Sequence, residues 1–341
     1  MPANPPAIFT PPSAGGTPAA PGAVYMPPVS GGAPVATVAP AKSWAGITSS
    51  TDGIKLAACA SYNQLLYTST DGGITWTTRG TAKYYIAMTG TGDGAKLFAA
   101  EQNGSLYGST DSGVTWSIIS SARSWSNLAV SSNGQKLAAV LDSSAQIITS
   151  TDAGVTWTNR ASTQYWNDIA SSADGVKLVA VAANLQIQTS TDSGVTWVAR
   201  DSARNWKCVA SSADGVRLVA AGVSTQIFTS VDSGVTWTAR ETSRVWRAVA
   251  CSDDGLRICA IVYNGGLYQS ADGGVTWQEH PEARPWYEVA YAGDGSVVYA
   301  ANYGIGIYSL KPGTGTALPG AIYTPPSPGS APAAPPAIFN P

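Results

Sequence analysis

Between Trp166 and Arg200 the chain alternates short apolar runs with clusters of Ser, Asp and Gly. WNDIASS, KLVAVA, QIQTS and VTWVAR read in turn as four strands. ADG separates the first two, and a Ser/Thr/Asp/Gly cluster separates the last two. Apolar runs of this length, bounded by turn residues, predict strands and not helices. No 3.6-residue apolar period is found between residues 43 and 310.

The four-strand unit repeats. STDGGITW at 69–76, STDSGVTW at 109–116, STDAGVTW at 150–157, STDSGVTW at 190–197, SVDSGVTW at 230–237 and SADGGVTW at 270–277 recur every 40 or 41 residues. Their aspartates are Asp71, Asp111, Asp152, Asp192, Asp232 and Asp272. An aromatic landmark opens each first strand at the same period: Trp44, Tyr85, Trp125, Trp166, Trp206, Trp246 and Trp286. Eight residues after each comes Asp-Gly or Asn-Gly, from Asp52-Gly53 to Asp294-Gly295, the signal of a tight hairpin turn. Seven copies of a four-stranded antiparallel unit predict an all-β, seven-bladed β-propeller. The Ala-rich runs LAAC, FAAE, LAAVL and LVAVA suit inner strands that crowd at a common axis.

The octapeptide resembles the Asp box, or BNR repeat, S-x-D-x-G-x-T-W, over about residues 43–310. The resemblance implies that each box forms the turn between the third and fourth strands of a blade. Its Asp accepts hydrogen bonds from the turn, its Gly takes a positive φ and its Trp packs into the blade. It also implies that the six aspartates are structural. Similar repeats occur in sialidases, xyloglucanases, sortilin-type receptors and photosystem II assembly factors, so the box leaves function undecided.

The seventh repeat lacks a box and a fourth strand. VATVA at 35–39 stands where that strand belongs, and we expect it to complete the last blade beside Ile307–Leu310. Thr316–Ala321 is the rival segment. The propeller then spans 33–313, between tails at 1–32 and 314–341 that are rich in Pro, Ala, Gly and Ser. Each tail carries the motif P-[PG]-A-[IV]-[FY]-x-P twice: 5–11 and 21–27 in one, 319–325 and 335–341 in the other. The anchors Phe9 and Tyr25, and Tyr323 and Phe339, are 16 residues apart in both tails. Matched anchors at matched spacing predict docking straps, because polyproline-type segments lose little entropy on ordering and suit aromatic grooves. A partner, another copy or the chain's own ring are the targets considered.

Charge narrows function further. Charged residues make up 12% of the chain and the formal net charge is −2, which does not suggest nucleic acid as a partner. No Cys pair has metal-ligand spacing, and neither a metal nor a cofactor is expected. Cys59, Cys208, Cys251 and Cys259 read as small buried hydrophobes, with a disulfide conceivable between the last two. The sequence shows no secretory leader and no run long enough for a membrane helix, so membrane insertion is not expected.

No pair of carboxylates or nucleophile motif points to catalysis. Outside the boxes and hairpins the acids are Asp142, Asp168, Asp201, Asp253, Glu101, Glu241, Glu279, Glu282 and Glu288, and none stands out as a glycosidase pair. The single histidine, His280, reads as a surface residue in a loop between blades. One constellation stands out. Lys42, Lys83, Arg123, Gln164, Arg204, Arg244 and Arg284 lie two residues before the seven aromatics. With Trp125, Trp166, Trp206, Trp246 and Trp286 they form a candidate belt of alternating cation and aromatic, which either stacks only to order the loops between blades or offers a face to a glycan, an anion or a protein. The expectation is a non-enzymatic binding or structural module of a larger assembly, such as a virion or surface appendage. A carbohydrate-binding or receptor-type propeller is the alternative, and a glycoside hydrolase the distant one.

Overall fold

The computed structural model describes residues 34–37, 39–142, 146–160 and 164–311. Among them there is no helix, and the strands form seven four-stranded antiparallel sheets. In the first blade the order is Trp44–Ser49, Leu56–Ala60, Gln64–Ser69 and Thr77–Lys83, each strand paired with the next. Five further sheets repeat this pattern. In the later blades the strands run on continuously: Val198–Ser211 supplies the outer strand of the fourth blade and then the inner strand of the fifth.

Burial explains why the sheets stand on edge around an axis. The second strand is buried along its whole length in the first blade (LAACA), whereas the fourth is mostly exposed. The apolar residues form seven clusters, each shared by two neighbouring sheets. Trp166, Ile169 and Leu178 of the fourth blade, for example, pack with Ala129, Val140 and Ile147 of the third. Trp44 and Ile47 of the first pack with Val297, Tyr299 and Ile307 of the seventh. Each inner strand lies against the next, and the seventh against the first, so the ring is closed.

Small residues make the close approach possible. A Cβ placed on Gly46 would sit 2.9 Å from the backbone N of Met88 in the next blade. Beyond the inner strands, backbone hydrogen bonds run from blade to blade. Ala173 N donates to Ala213 O (2.7 Å), Ala213 N to Asp253 O (2.8 Å), Asp253 N to Gly293 O (2.7 Å), and Asp294 N to Thr51 O (2.8 Å) across the closure.

The last blade takes its fourth strand from the other end of the chain. Val35 and Ala36 pair antiparallel with Ser309 and Tyr308, and Thr37 N donates to Ile307 O at 2.9 Å. The pairing covers the edge that the strand Ile307–Leu310 would otherwise expose. Thr316–Ala321 lies outside the described residues, as do the tail anchors Phe9, Tyr25, Tyr323 and Phe339.

All four cysteines are free thiols. Cys251 pairs with Ile258, and Cys259 with Ala250 on the neighbouring strand. The two side chains therefore point to opposite faces of the sheet, which rules out the conceivable disulfide.

Candidate functional site

The box residues form a self-contained turn. At Asp192, Ser190 Oγ donates to Oδ1 (2.8 Å), Thr196 N donates to Oδ1 (2.8 Å) and Thr196 Oγ1 donates to Oδ2 (2.7 Å). Gly194, at φ +83°, donates its N–H to Ser190 Oγ (2.9 Å) and accepts from Trp197 Nε1 (2.9 Å). The Thr backbone bond to the carboxylate recurs at Asp71, Asp111, Asp152, Asp232 and Asp272. These donors stabilise the charged carboxylate. The hydroxyl of Thr196, above all, holds Asp192 down at about 2. Each of the six carboxylates therefore accepts hydrogen bonds from its own turn.

The proposed cation–aromatic belt does not form as a ligand face. Trp125, Trp166, Trp206, Trp246 and Trp286 are 0–5% exposed and belong to the cores between blades. Three of the rings meet an aromatic of the third strand edge-on: Trp206 with Phe228 (5.3 Å), Trp246 with Tyr268 (5.1 Å) and Trp286 with Tyr308 (5.4 Å). The cations cover these pairs from outside. Arg204 lies 4.4 Å over Phe228, Arg244 4.7 Å over Tyr268 and Arg284 4.5 Å over Tyr308.

Acids left over in the sequence hold these cations in turn. Glu101 lies 3.5 Å from Lys83, Asp201 3.4 Å from Arg204, Glu241 3.5 Å from Arg244 and Glu282 2.6 Å from Arg284. The three stacks are thus capped and largely neutralised, and they present no open aromatic face of their own. Lys42 and Arg123 hold the corresponding places before the first and third inner strands.

His280 is a buried strand residue, not a surface residue of a loop. It is 6% exposed and lies within the strand Gln278–Tyr291. It stands where Arg79, Arg160, Arg200 and Arg240 stand in other blades. Those arginines donate Nε to a threonine hydroxyl on the neighbouring strand, as Arg240 does to Thr229 (2.8 Å). His280 Nε2 lies 3.2 Å from Gln269 Oε1, and Gln269 takes the place of that threonine. Both members of the cross-strand pair have changed together.

The site that the ring builds lies on its axis. A cavity of about 300 Å³ is lined by the two residues that follow each aromatic landmark. In chain order they are Ala45-Gly46, Ile86-Ala87, Ser126-Asn127, Asn167-Asp168, Lys207-Cys208, Arg247-Ala248 and Tyr287-Glu288. Every inner strand shifts register between the landmark and the second residue after it. Such a bulge re-aims side chains, and here it turns positions from all seven blades toward the axis. Gln102 and Asp142 join the lining from the ends of second strands.

The lining has two sides. Blades one and two supply Ala45, Gly46, Ile47, Ile86, Ala87 and Met88, whereas blades three to seven supply nearly all the polar and charged groups. Asp168 stitches three blades together: Oδ1 accepts from Asn127 Nδ2 (2.5 Å) and Ile169 N (2.8 Å), and Oδ2 accepts from Val209 N (2.9 Å). Although the cavity touches it, protein surrounds it, and burial pushes its carboxyl up to about 7. Burial raises Glu288 as well, against the pull of Arg247. Lys207 is lowered, first by burial and then by Arg247 beside it. The Arg247 guanidinium stacks 3.9 Å over Tyr287.

Comparison with known proteins agrees with the propeller fold. The BNR/Asp-box repeat model matches residues 67–78. No curated protein matches the sequence. Among solved structures, YCF48 bound to D1 peptide aligns with TM-score 0.64 and 15% identity over 84% of this chain and 99% of that one. YCF48 from Cyanidioschyzon merolae aligns with TM-score 0.62 and 16% identity, over 82% and 97%. The WD40 repeats of RRP9 align with TM-score 0.68 and 10% identity, over 83% and 99%. The fold is an Asp-box β-propeller. At these identities the likeness carries the architecture alone. The propeller's distinguishing residues are those that its repeat does not copy.

Proposed function

We propose that the protein is a non-catalytic binding module that takes a segment of a protein partner into the mouth of the central cavity, while its Pro-rich tails tie it into a larger assembly. One observation carries this reading: the repeat, uniform at its boxes, is most varied at the positions that face the cavity. A volume of about 300 Å³ is at the small end for ligand pockets. One apolar and one charged wall suit a partner segment that is apolar on one side and polar on the other.

A peptide as ligand is supported by YCF48, a propeller solved with a D1 peptide. A non-catalytic role is supported by Asp168, whose oxygens already accept from Asn127, Ile169 and Val209. Capture from the native source with full-length protein and with Lys207→Ala/Arg247→Ala tests the reading. A protein retained by the wild type should be lost from the double variant at unchanged melting temperature. Equal retention would place the partner elsewhere, and turnover of fluorogenic glycosides would remove the non-catalytic part.

A further inference from the structure

Beside the cavity mouth lies an aromatic patch that the repeat does not explain. Tyr303 of the seventh blade donates its hydroxyl to Tyr62 of the first at 3.1 Å. Tyr84 meets Tyr62 edge-on at 5.4 Å, and Tyr287 lies 5.9 Å from Tyr303. Tyr62 and Tyr303 are 58% and 39% exposed, and Ile305 beside them 50%. The patch continues the apolar side of the cavity outward over blades seven, one and two.

Tyr62 holds its place against the backbone. Its φ is +65°, in the left-handed region that a bulky side chain rarely adopts. The same hairpin in other blades has Asn103, Asn184, Ser224, Asn264 and Gly304 at this position, residues that tolerate that conformation or, for glycine, favour it. Strained residues of this kind cluster at binding sites. A large exposed ring here has no core to fill, since its contacts are the other tyrosines.

We propose that this patch is the receptor for the chain's own C-terminal Pro-rich segment, residues 319–325 (PGAIYTP), bound in cis. Chemistry and reach both favour it. Extended proline-rich chain leaves its carbonyls without internal partners, and aromatic patches bearing hydroxyl donors bind it. The described chain ends at Lys311, just past the strand Ile307–Leu310 and beside the entry of the N-terminal segment at Val35. From Val35 the chain climbs the blade and reaches Tyr303 at Ser43, eight residues later. Eleven residues lie between Lys311 and Tyr323, enough to retrace that distance. The inference concerns one of the four strap motifs, leaves the motifs at 5–11, 21–27 and 335–341 for an assembly, and stands whether or not the cavity takes a partner.

The test replaces Tyr323 in the full chain by the photo-crosslinker p-benzoylphenylalanine, irradiates, and maps crosslinked peptides in the monomer fraction. The expected product joins residue 323 to the peptide carrying Tyr62 or Tyr303. It should be lost in Tyr62→Asn/Tyr303→Ala, which installs residues that other blades carry at these positions (Asn103 and Ala183), so the ring should melt as before. Crosslinks between copies only, crosslinks elsewhere on the ring, no crosslink, or a product unchanged in the variant would each overturn the proposal.

Discussion

Asp192 and Asp168 are the same residue type in one repeat, the first in a box turn and the second in an inner strand, and their surroundings displace them in opposite directions. Asp192 sits in an exposed turn copied six times, where Thr196 and Ser190 donate to it and hold it at about 2. Asp168 sits at a position occupied in the other blades by Gly46, Ala87, Asn127, Cys208, Ala248 and Glu288, and burial holds it at about 7. The box turns show what the ring needs in order to stand, and the axis shows what it is free to vary. If that division is right, substitutions at copied positions should cost stability, whereas substitutions at uncopied positions should mainly alter binding.

The largest effect is expected where copying is strictest in the core. Trp246 is fully buried, donates Nε1 to Thr225 O at 3.0 Å and stacks on Tyr268. Trp246→Ala should lower unfolding stability by about 3–5 kcal/mol, read from denaturant midpoints at unchanged slope. A cost under about 1 kcal/mol would mean that the buried tryptophans do not carry the core.

The two aspartates should then separate by pH. Asp168 has a raised folded pKa, so between about 4 and 7 the folded state keeps a proton that the unfolded state has released. Its contribution therefore makes stability fall as pH rises through that window, and this component should vanish in Asp168→Asn. Asp192 is displaced the other way. Its stabilisation is present above the unfolded pKa and is lost as pH falls toward about 2. Asp192→Asn should flatten the acid limb and leave the slope between pH 5 and 8 alone. Melting curves from pH 2 to 8 on both variants check this, and a shared response would erase the contrast.

What the sequence made legible was what it repeated. Six boxes, seven aromatics and seven hairpin dipeptides announced the ring, because periodic backbone tasks demand periodic residues. Other periodic residues serve contacts between and within blades. Basic residues follow six of the hairpins, and Lys55, Lys96, Lys177 and Arg257 donate to a backbone carbonyl of the next blade. The aromatics Tyr67, Tyr107, Phe228, Tyr268 and Tyr308 recur in third strands under the landmark rings.

The axis was harder to see. Asp168 and Glu288 stood among the leftover acids with nothing to pair them, since they come from blades four and seven and meet only when the ring closes. The signal that would have found the cavity is variability at the two positions after each landmark, the reverse of the conservation that reveals the fold. The belt's role was open for a related reason: alternation of Arg and Trp along the sequence does not say which of the two is buried, and so does not separate loop-ordering stacks from a ligand face.

The smallest expected change in stability belongs to the axis itself. Lys207 lines the cavity half-buried, loses hydration there and faces the like charge of Arg247. It also lies near Asp168 and Glu288, whose attraction offsets part of that cost. Asn at this position has a precedent one blade earlier, where Asn167 donates to Trp206 O at 2.7 Å. Lys207→Asn should accordingly shift unfolding stability by no more than about 0.5–1 kcal/mol in either direction, the range of substitutions that open no cavity and leave no buried charge unpaired. The two carboxyls need not remain charged when the cation goes, because burial already raises both toward the neutral form. Denaturant midpoints for Lys207→Asn and Trp246→Ala, measured side by side, set the ratio between axis and core. A loss from Lys207→Asn as large as the tryptophan's would make the axial charges part of the scaffold, and would take away the reason for reading the cavity as a binding site.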